Sequence, residues 1–257
     1  MRLFFPKQQL IFLTFLIGNL AYAQAPQKNI QSREQLWVSY SNQTRFTDKW
    51  GLWFDAHYRT TGNFVERPFQ MLIRPALTYF ISDNLRINAG YTLAKHYPAV
   101  GLKTTRTEHR AWQQIWWNQK YPGVTMLQWL RLEQRFLEKV IEDVIYEGYD
   151  YTFRIRYNLS FVIPLKGKAV VAHTPFVTVA NEVFLNFGGD VIYNTFDQNR
   201  LSAGLGYQFT PHVSAQLGYT NLYQQLNSGN NYLVSHVIRL SVAHNLDFRS
   251  KSETAQK

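Results

Sequence analysis

From residue 34 to residue 248 apolar and polar positions alternate with a period of two, in segments broken by turn signals. The sharpest case sets Phe153-Ile155-Tyr157-Leu159-Phe161 against Arg154-Arg156-Asn158-Ser160. Successive side chains of a strand point to opposite faces, so each such segment predicts a strand with one apolar and one polar face. Leu36-Val38-Tyr40, Leu52-Phe54-Ala56-Tyr58, Met71-Ile73-Pro75-Leu77-Tyr79 and Leu85-Ile87-Ala89-Tyr91-Leu93 repeat the pattern. So do residues 106–118, 124–137, 174–185, 201–209, 213–219 and 232–248. Thr47-Asp48-Lys49, Ser82-Asp83-Asn84, Tyr121-Pro122-Gly123 and Thr210-Pro211-His212 read as tight turns between them. Residues 138–149 are acidic and read as a loop.

Short turns alternate with longer loops, and the segments suit tilted strands of about 9–11 residues crossing a hydrocarbon layer. The expectation is all-β: an antiparallel transmembrane β-barrel with a polar, arginine-rich lumen. Eleven segments are countable, but antiparallel closure needs an even number. Twelve strands are therefore expected, with ten as the alternative. A missing strand would fall in 138–150 or 164–176, or else the N-terminus threads the lumen.

Charge placement supports the barrel. The polar faces carry Arg45, Arg59, Arg74, Arg86, Arg106, Arg110, Arg131, Arg135, Arg154, Arg156, Arg200 and Arg239, with Asp55, Glu108, Glu133, Glu182 and Asp247. An arginine facing lipid near the midplane costs roughly 2–4 kcal/mol, so these rows should face inward. Glu108, Arg110, Arg131, Glu133, Arg135, Arg154, Arg156, Glu182, Arg200 and Arg239 form the expected lumen charge network. One reading is a lumen packed shut by its own arginine–carboxylate pairs. The other uses the arginine excess, which attracts anions. If the 106–137 hairpin turns at Tyr121-Pro122, position i pairs with 243 − i. Glu108 then faces Arg135 and Arg110 faces Glu133, with like charges kept apart.

Composition narrows the class further. The net charge is +10, but the arginines are spread singly along the segments, which argues against nucleic acid. Aromatics make up 16% of the 257 residues, with 16 Tyr, 18 Phe and 7 Trp, as girdles at two membrane interfaces would need. A mean hydropathy of −0.29 is compatible with strands whose second face is polar. No internal run is long enough for a transmembrane helix. The chain has no cysteine, so disulfides and thiolate chemistry are excluded.

Residues 1–23 read as a cleaved signal peptide. Arg2 and Lys7 precede the apolar run Leu10 to Leu20, and Ala21-Tyr22-Ala23 fits the cleavage pattern. The expected organisation is completed by a polar lead-in at 24–33, the barrel at 34–248 and a polar tail at 249–257. No linker divides the barrel. His109, His236 and His244 fall on outward faces, and no histidine has a serine and an acid at matching parity. No catalytic residue, metal spacing, glycine-rich phosphate loop or cofactor motif is present.

Five motifs occur in order: Glu108-His109-Arg110-x-Trp112-Gln113-Gln114, Arg131-Leu132-Glu133-Gln134-Arg135, Arg154-x-Arg156-Tyr157, Asn181-Glu182 and Phe196-Asp197-Gln198-Asn199-Arg200. This order resembles an uncharacterised group of bacterial outer-membrane proteins, domain of unknown function 2490, over about Glu34 to Phe248. The resemblance implies a β-barrel in the Gram-negative outer membrane and brings no substrate, reaction or catalytic residue. The leading expectation is a porin-like, non-enzymatic small-solute channel or binding barrel biased toward anions, with outer-membrane lipid and small anionic solutes as partners. A structural or assembly component with a salt-bridge-closed lumen is the second reading, and a lipid-modifying barrel enzyme the third.

Overall fold

A computed structural model describes residues 28–249, so the signal peptide expected at 1–23 and the tail beyond Arg249 lie outside the described residues. The alternating segments form β1 (Asn29–Arg45), β2 (Trp50–Thr61), β3 (Arg67–Ser82), β4 (Leu85–His96), β5 (Arg106–Tyr121) and β6 (Val124–Ile141). They continue with β7 (Val144–Pro164), β8 (Thr174–Phe187), β9 (Phe196–Gln208), β10 (Val213–Gln225) and β11 (Asn231–Asp247). Each strand pairs antiparallel with its sequence neighbour, and the sheet closes on itself.

The barrel has eleven strands, not the expected twelve. No extra strand forms in 138–150 or 164–176. Closure comes instead from a parallel seam, in which β1 runs beside β11 from Asn29↔Asn231 to Arg45↔Asp247. A parallel ladder removes the even-number requirement, because first and last strand then run the same way. β1 also begins at Asn29, inside the stretch expected to be a lead-in.

The N-terminal end of β1 and the C-terminal end of β11 consequently sit at opposite ends of the barrel. One end carries the connections 46–49, 83–84, 122–123 and 209–212, with 165–173 as a longer exception. We call it the short-turn end. The other, the long-loop end, carries 62–66, 97–105, 188–195 and 226–230.

Residues 138–149, expected to be a loop, extend the β6–β7 pair as a hairpin beyond the rim. Lys139↔Tyr146 and Ile141↔Val144 are paired, whereas β7 meets β8 only from Phe153 onward. The turn is made by Glu142 and Asp143, both left-handed, with φ of 48° and 62°. That is the backbone of a type I′ hairpin without its usual Asn-Gly signature. The Asp143 carboxylate accepts the backbone N–H groups of Lys103 and Thr104, each at 2.8 Å, and so ties the hairpin tip to the 97–105 loop.

The distribution of side chains reverses the usual one. Exposed apolar residues stand on every strand, among them Val38, Leu52, Leu77, Ile87, Ile115, Leu130, Ile155, Val179, Leu205, Leu217 and Leu240. The buried set is mostly polar, and Glu108, Glu133 and Thr78 have no exposed surface. Clusters of outward aromatics stand toward the two ends, while others such as Tyr91 and Tyr219 lie mid-strand. Phe46 stacks on Phe248 and Trp50 meets Tyr79 at the short-turn end. Phe136, Tyr151, Phe153 and Phe187 form a chain of ring contacts toward the long-loop end. Tryptophan does not follow the girdle expectation. Of the seven, only Trp50 and Trp117 have outward parity, whereas Trp37, Trp53, Trp112, Trp116 and Trp129 point inward.

Candidate functional site: the arginine–tryptophan lumen

Two cavities occupy the lumen. One of about 520 Å³ opens toward the long-loop end, where Asp190, Asn194 and Asn227 line it. The other, of about 500 Å³, extends toward the short-turn end past Val162, Ser214 and Ala243. Trp37, Arg59, Arg74, Arg156 and Arg200 line both, so these side chains make the partition between them.

Parity from the pleat delivers the inward charges, and all ten residues of the expected network point inward. Eleven arginines on the inner wall (33, 59, 74, 86, 110, 131, 135, 154, 156, 200, 239) meet five wall carboxylates (Asp55, Glu108, Glu133, Glu182, Asp197), an excess of six; Arg106, Asp150 and Asp190 line the cavity at the long-loop rim and bring the surplus to five. No lysine among the described residues is buried. Guanidinium is the suitable cation here because it bonds carboxylates bidentately and stacks flat on indole.

The network is polarised around the barrel wall. On β5 to β9 the carboxylates are saturated. Arg110 donates Nε and Nη2 to Glu108 at 2.6 and 2.7 Å, and Arg135 Nε donates to Glu108 at 2.6 Å. Arg154 bridges Glu133 (2.6 Å) and Asp197 (2.8 Å). Arg156 bridges Glu133 (2.7 Å) and Glu182 (Nε at 2.8 Å). Arg131 approaches Glu133 only to 3.8 Å and Arg200 approaches Glu182 only to 4.0 Å.

The remaining strands carry one inward acid, Asp55 on β2, which takes Arg74 Nε at 2.6 Å, and otherwise hold arginines without acids. Arg33, Arg59, Arg86 and Arg239 have no carboxylate within 4.0 Å among the described residues. Three of these lie over aromatic rings. The Arg59 guanidinium is 3.8 Å from the Trp37 ring centre, Arg86 is 3.5 Å from Trp116, and Arg33 is 4.3 Å from Phe69. Cation–π contact of this kind offsets part of the burial cost without cancelling the charge.

The expected register does not hold. The β5–β6 ladder pairs position i with 245 − i, putting Arg110 opposite Arg135 and Glu133 opposite Trp112. The cause is the turn. Pro122-Gly123 makes a two-residue connection with Tyr121 paired to Val124, and Gly123 supplies the positive φ of 84°. Glu108 still meets Arg135, but diagonally, and Arg110 bonds Glu108 on its own strand instead of Glu133.

Other residues expected on the polar face end elsewhere. Arg45 sits at the short-turn end with Asp83 at 2.7 Å. Arg106 lies at the opposite rim and donates to the Glu138 carbonyl. Asp247 pairs with Arg249 outside the lumen. Sequence reasoning missed Asp197, whose odd number predicts an outward side chain on β9. A bulge, where Phe184 pairs Gln198 but Leu185 pairs Phe196, turns it inward. It also missed Arg33, which the lead-in boundary cut away, and Gln35, which stands just before the first segment read as alternating.

The inward histidines are spoken for: His57 lies beside Asp55 and Arg74, and His96 bonds Glu108 at 2.8 Å. The outward His109, His236 and His244 each meet a tyrosine hydroxyl, from Tyr91, Tyr219 and Tyr40.

Comparison with known proteins adds a family and no activity. An uncharacterized protein of Methylorubrum extorquens is 27% identical over 197 residues, covering 73% of this chain and 77% of the relative. No solved structure matches. The sequence matches the family described as Protein of unknown function (DUF2490) over residues 34–233, from the start of the first alternating segment to the opening of β11, and the chain belongs to that family.

Proposed function

We propose that this protein is a non-enzymatic outer-membrane β-barrel that admits small anionic solutes into an arginine-biased lumen. The observation carrying this reading is the surplus of arginines over carboxylates inside a closed barrel, six on the inner wall and five once the rim residues Arg106, Asp150 and Asp190 are counted. A closed barrel leaves no unpaired strand edge, which is what a hydrocarbon environment demands of a sheet. The apolar coat on all eleven strands and the aromatic clusters toward both ends fit a lipid surround. Inside, a wall of positive charge lowers the energy of an anion and raises that of a cation.

A second reading is favoured by the partition: Trp37, Arg59, Arg74, Arg156 and Arg200 stand between the two cavities, and on this reading they close the lumen and the protein is a structural envelope component. Planar-bilayer recording of the purified protein across a KCl gradient separates the two. The first expects anion-selective current whose reversal potential moves toward the cation side in Arg239→Glu. The second expects no current and no binding of anions.

A further inference from the structure

Within the long-loop cavity one wall differs from the rest. Arg33, Gln35 and Trp37 follow one another along the inward face of β1, and Arg59 stands directly opposite Trp37 on β2. Trp37 Nε1 donates to Gln35 Oε1 at 2.7 Å, which occupies the only acceptor of that amide. Gln35 Nε2, Arg33 Nε and Arg59 Nε are all buried, and none has an acceptor among the described residues. Gln35 is 1% exposed and Arg59 7%. Three neighbouring donors thus lack acceptors, an arrangement that is expensive to maintain in a folded interior. Gln70 Oε1 takes one Arg59 N–H at 2.7 Å, which leaves Arg59 Nε unmatched. The charges that act most strongly on Arg59 are those of Arg200, Arg74, Arg110 and Arg239, all of the same sign.

We propose that the Arg33–Gln35–Arg59 wall, with Arg200 across Trp37, is a binding subsite for the anionic group of a small hydroxylated solute: the carboxylate of a sugar acid or the phosphate of a sugar phosphate. This rests on the anion-biased lumen proposed above and names its ligand class and place. An oxyanion supplies the acceptors that the wall lacks, and guanidinium forks match it geometrically. The hydroxyl-bearing part follows from the flanking wall of β8 to β10, where Asn186 and Gln224 line the same cavity. Amides offer both donor and acceptor, as hydroxyl groups require. The Trp37 ring lies at the base of this wall, and a volume of about 520 Å³ falls in the range of small-ligand sites.

Trp37 makes the test optical. The full barrel, purified in detergent, is titrated with galacturonate, glucose 6-phosphate, inorganic phosphate and glucose while tryptophan fluorescence and heat of binding are followed. Galacturonate and glucose 6-phosphate should bind, more weakly as salt rises, and glucose should not. Whichever of the two sugar anions binds more tightly identifies the anionic group. Arg59→Gln should weaken binding about tenfold or more, the usual worth of a charged hydrogen bond. Gln35→Glu is the second variant. It places a carboxylate among the free donors, so the barrel should melt no lower than the original while binding is lost. Equal binding of glucose and galacturonate overturns the anion assignment. Inorganic phosphate binding as tightly as both sugar anions overturns the hydroxyl part. Unchanged affinity in both variants overturns the location. Anion-selective current from a barrel that binds none of the probes overturns this subsite while leaving the anion-biased lumen standing.

Discussion

Arg110 stands directly opposite Arg135 on the β5–β6 ladder, and both guanidiniums turn onto one carboxylate, that of Glu108. Two like charges at a cross-strand pair repel, so the arrangement depends on the shared acid. Glu108→Gln leaves two buried cations facing each other. Removing one member of a buried charge cluster costs about 3–5 kcal/mol. The expected result is a markedly lower heat-modifiability midpoint on gels. Adding Arg135→Gln should recover part of the loss. A single mutant that melts with the parent would show that the pair tolerates its own repulsion.

Gly90 makes room for Trp112. A Cβ at Gly90 would lie 2.5 Å from the Trp112 ring and 2.7 Å from the Pro75 carbonyl oxygen. Trp112 is fully buried under the Arg131 guanidinium, 4.0 Å from its ring centre. Gly90→Ala should therefore destabilise by about 1–3 kcal/mol, as overpacking does. Trp112→Leu should relieve that clash, so the double variant should be less unstable than the two single effects added. Strict additivity in urea melts would contradict the contact.

The parallel seam places Asn29, the start of β1, and Asp247, the end of β11, at opposite mouths. The chain has no cysteine, so single cysteines report cleanly. Lys28→Cys and Glu147→Cys lie toward the long-loop end, Lys120→Cys at the short-turn end. On intact cells a membrane-impermeant maleimide should treat the first two alike and the third differently. Joint labelling of Lys28→Cys and Lys120→Cys, with Glu147→Cys protected, would require an even-stranded barrel.

Asp143 holds the 97–105 loop through the Thr104 and Lys103 backbone N–H groups, which keep its carboxyl below the ordinary carboxylate range. A depressed folded pKa means the tie is complete above the unfolded value of 3.8 and fades as pH falls through the lower folded one. Amide exchange at Lys103 and Thr104, corrected for intrinsic rate, should be equally protected at pH 7 and pH 5 and released only in stronger acid. Asp143→Ala should expose Lys103 to trypsin at neutral pH. Uncut Lys103 in that variant would locate the restraint elsewhere.

Much of this architecture was legible in the chain. A strand has a two-residue period whatever it packs against, so parity alone placed Arg131, Glu133, Arg154, Arg156 and Arg239 on one face. What misled was local and discrete. The Glu142-Asp143 turn adopts left-handed backbone without glycine or asparagine, so it resembled a loop. The bulge near Asp197 inverts parity over a single residue. The Pro122-Gly123 turn is two residues long, and reading it one residue earlier moved every proposed cross-strand partner by two.

The sequence by itself determined the strands, their two faces and the excess of inward arginine, because alternation is a property of each segment alone. Only the tertiary structure decided how the ring closes, which arginines find acids and which lie on tryptophan. Those depend on register and on a seam between strands about two hundred residues apart, where no local pattern reaches. Eleven strands with a parallel β1–β11 seam leave Glu108 and Glu133 saturated on one side of the lumen, and Arg33 Nε, Gln35 Nε2 and Arg59 Nε without acceptors on the other.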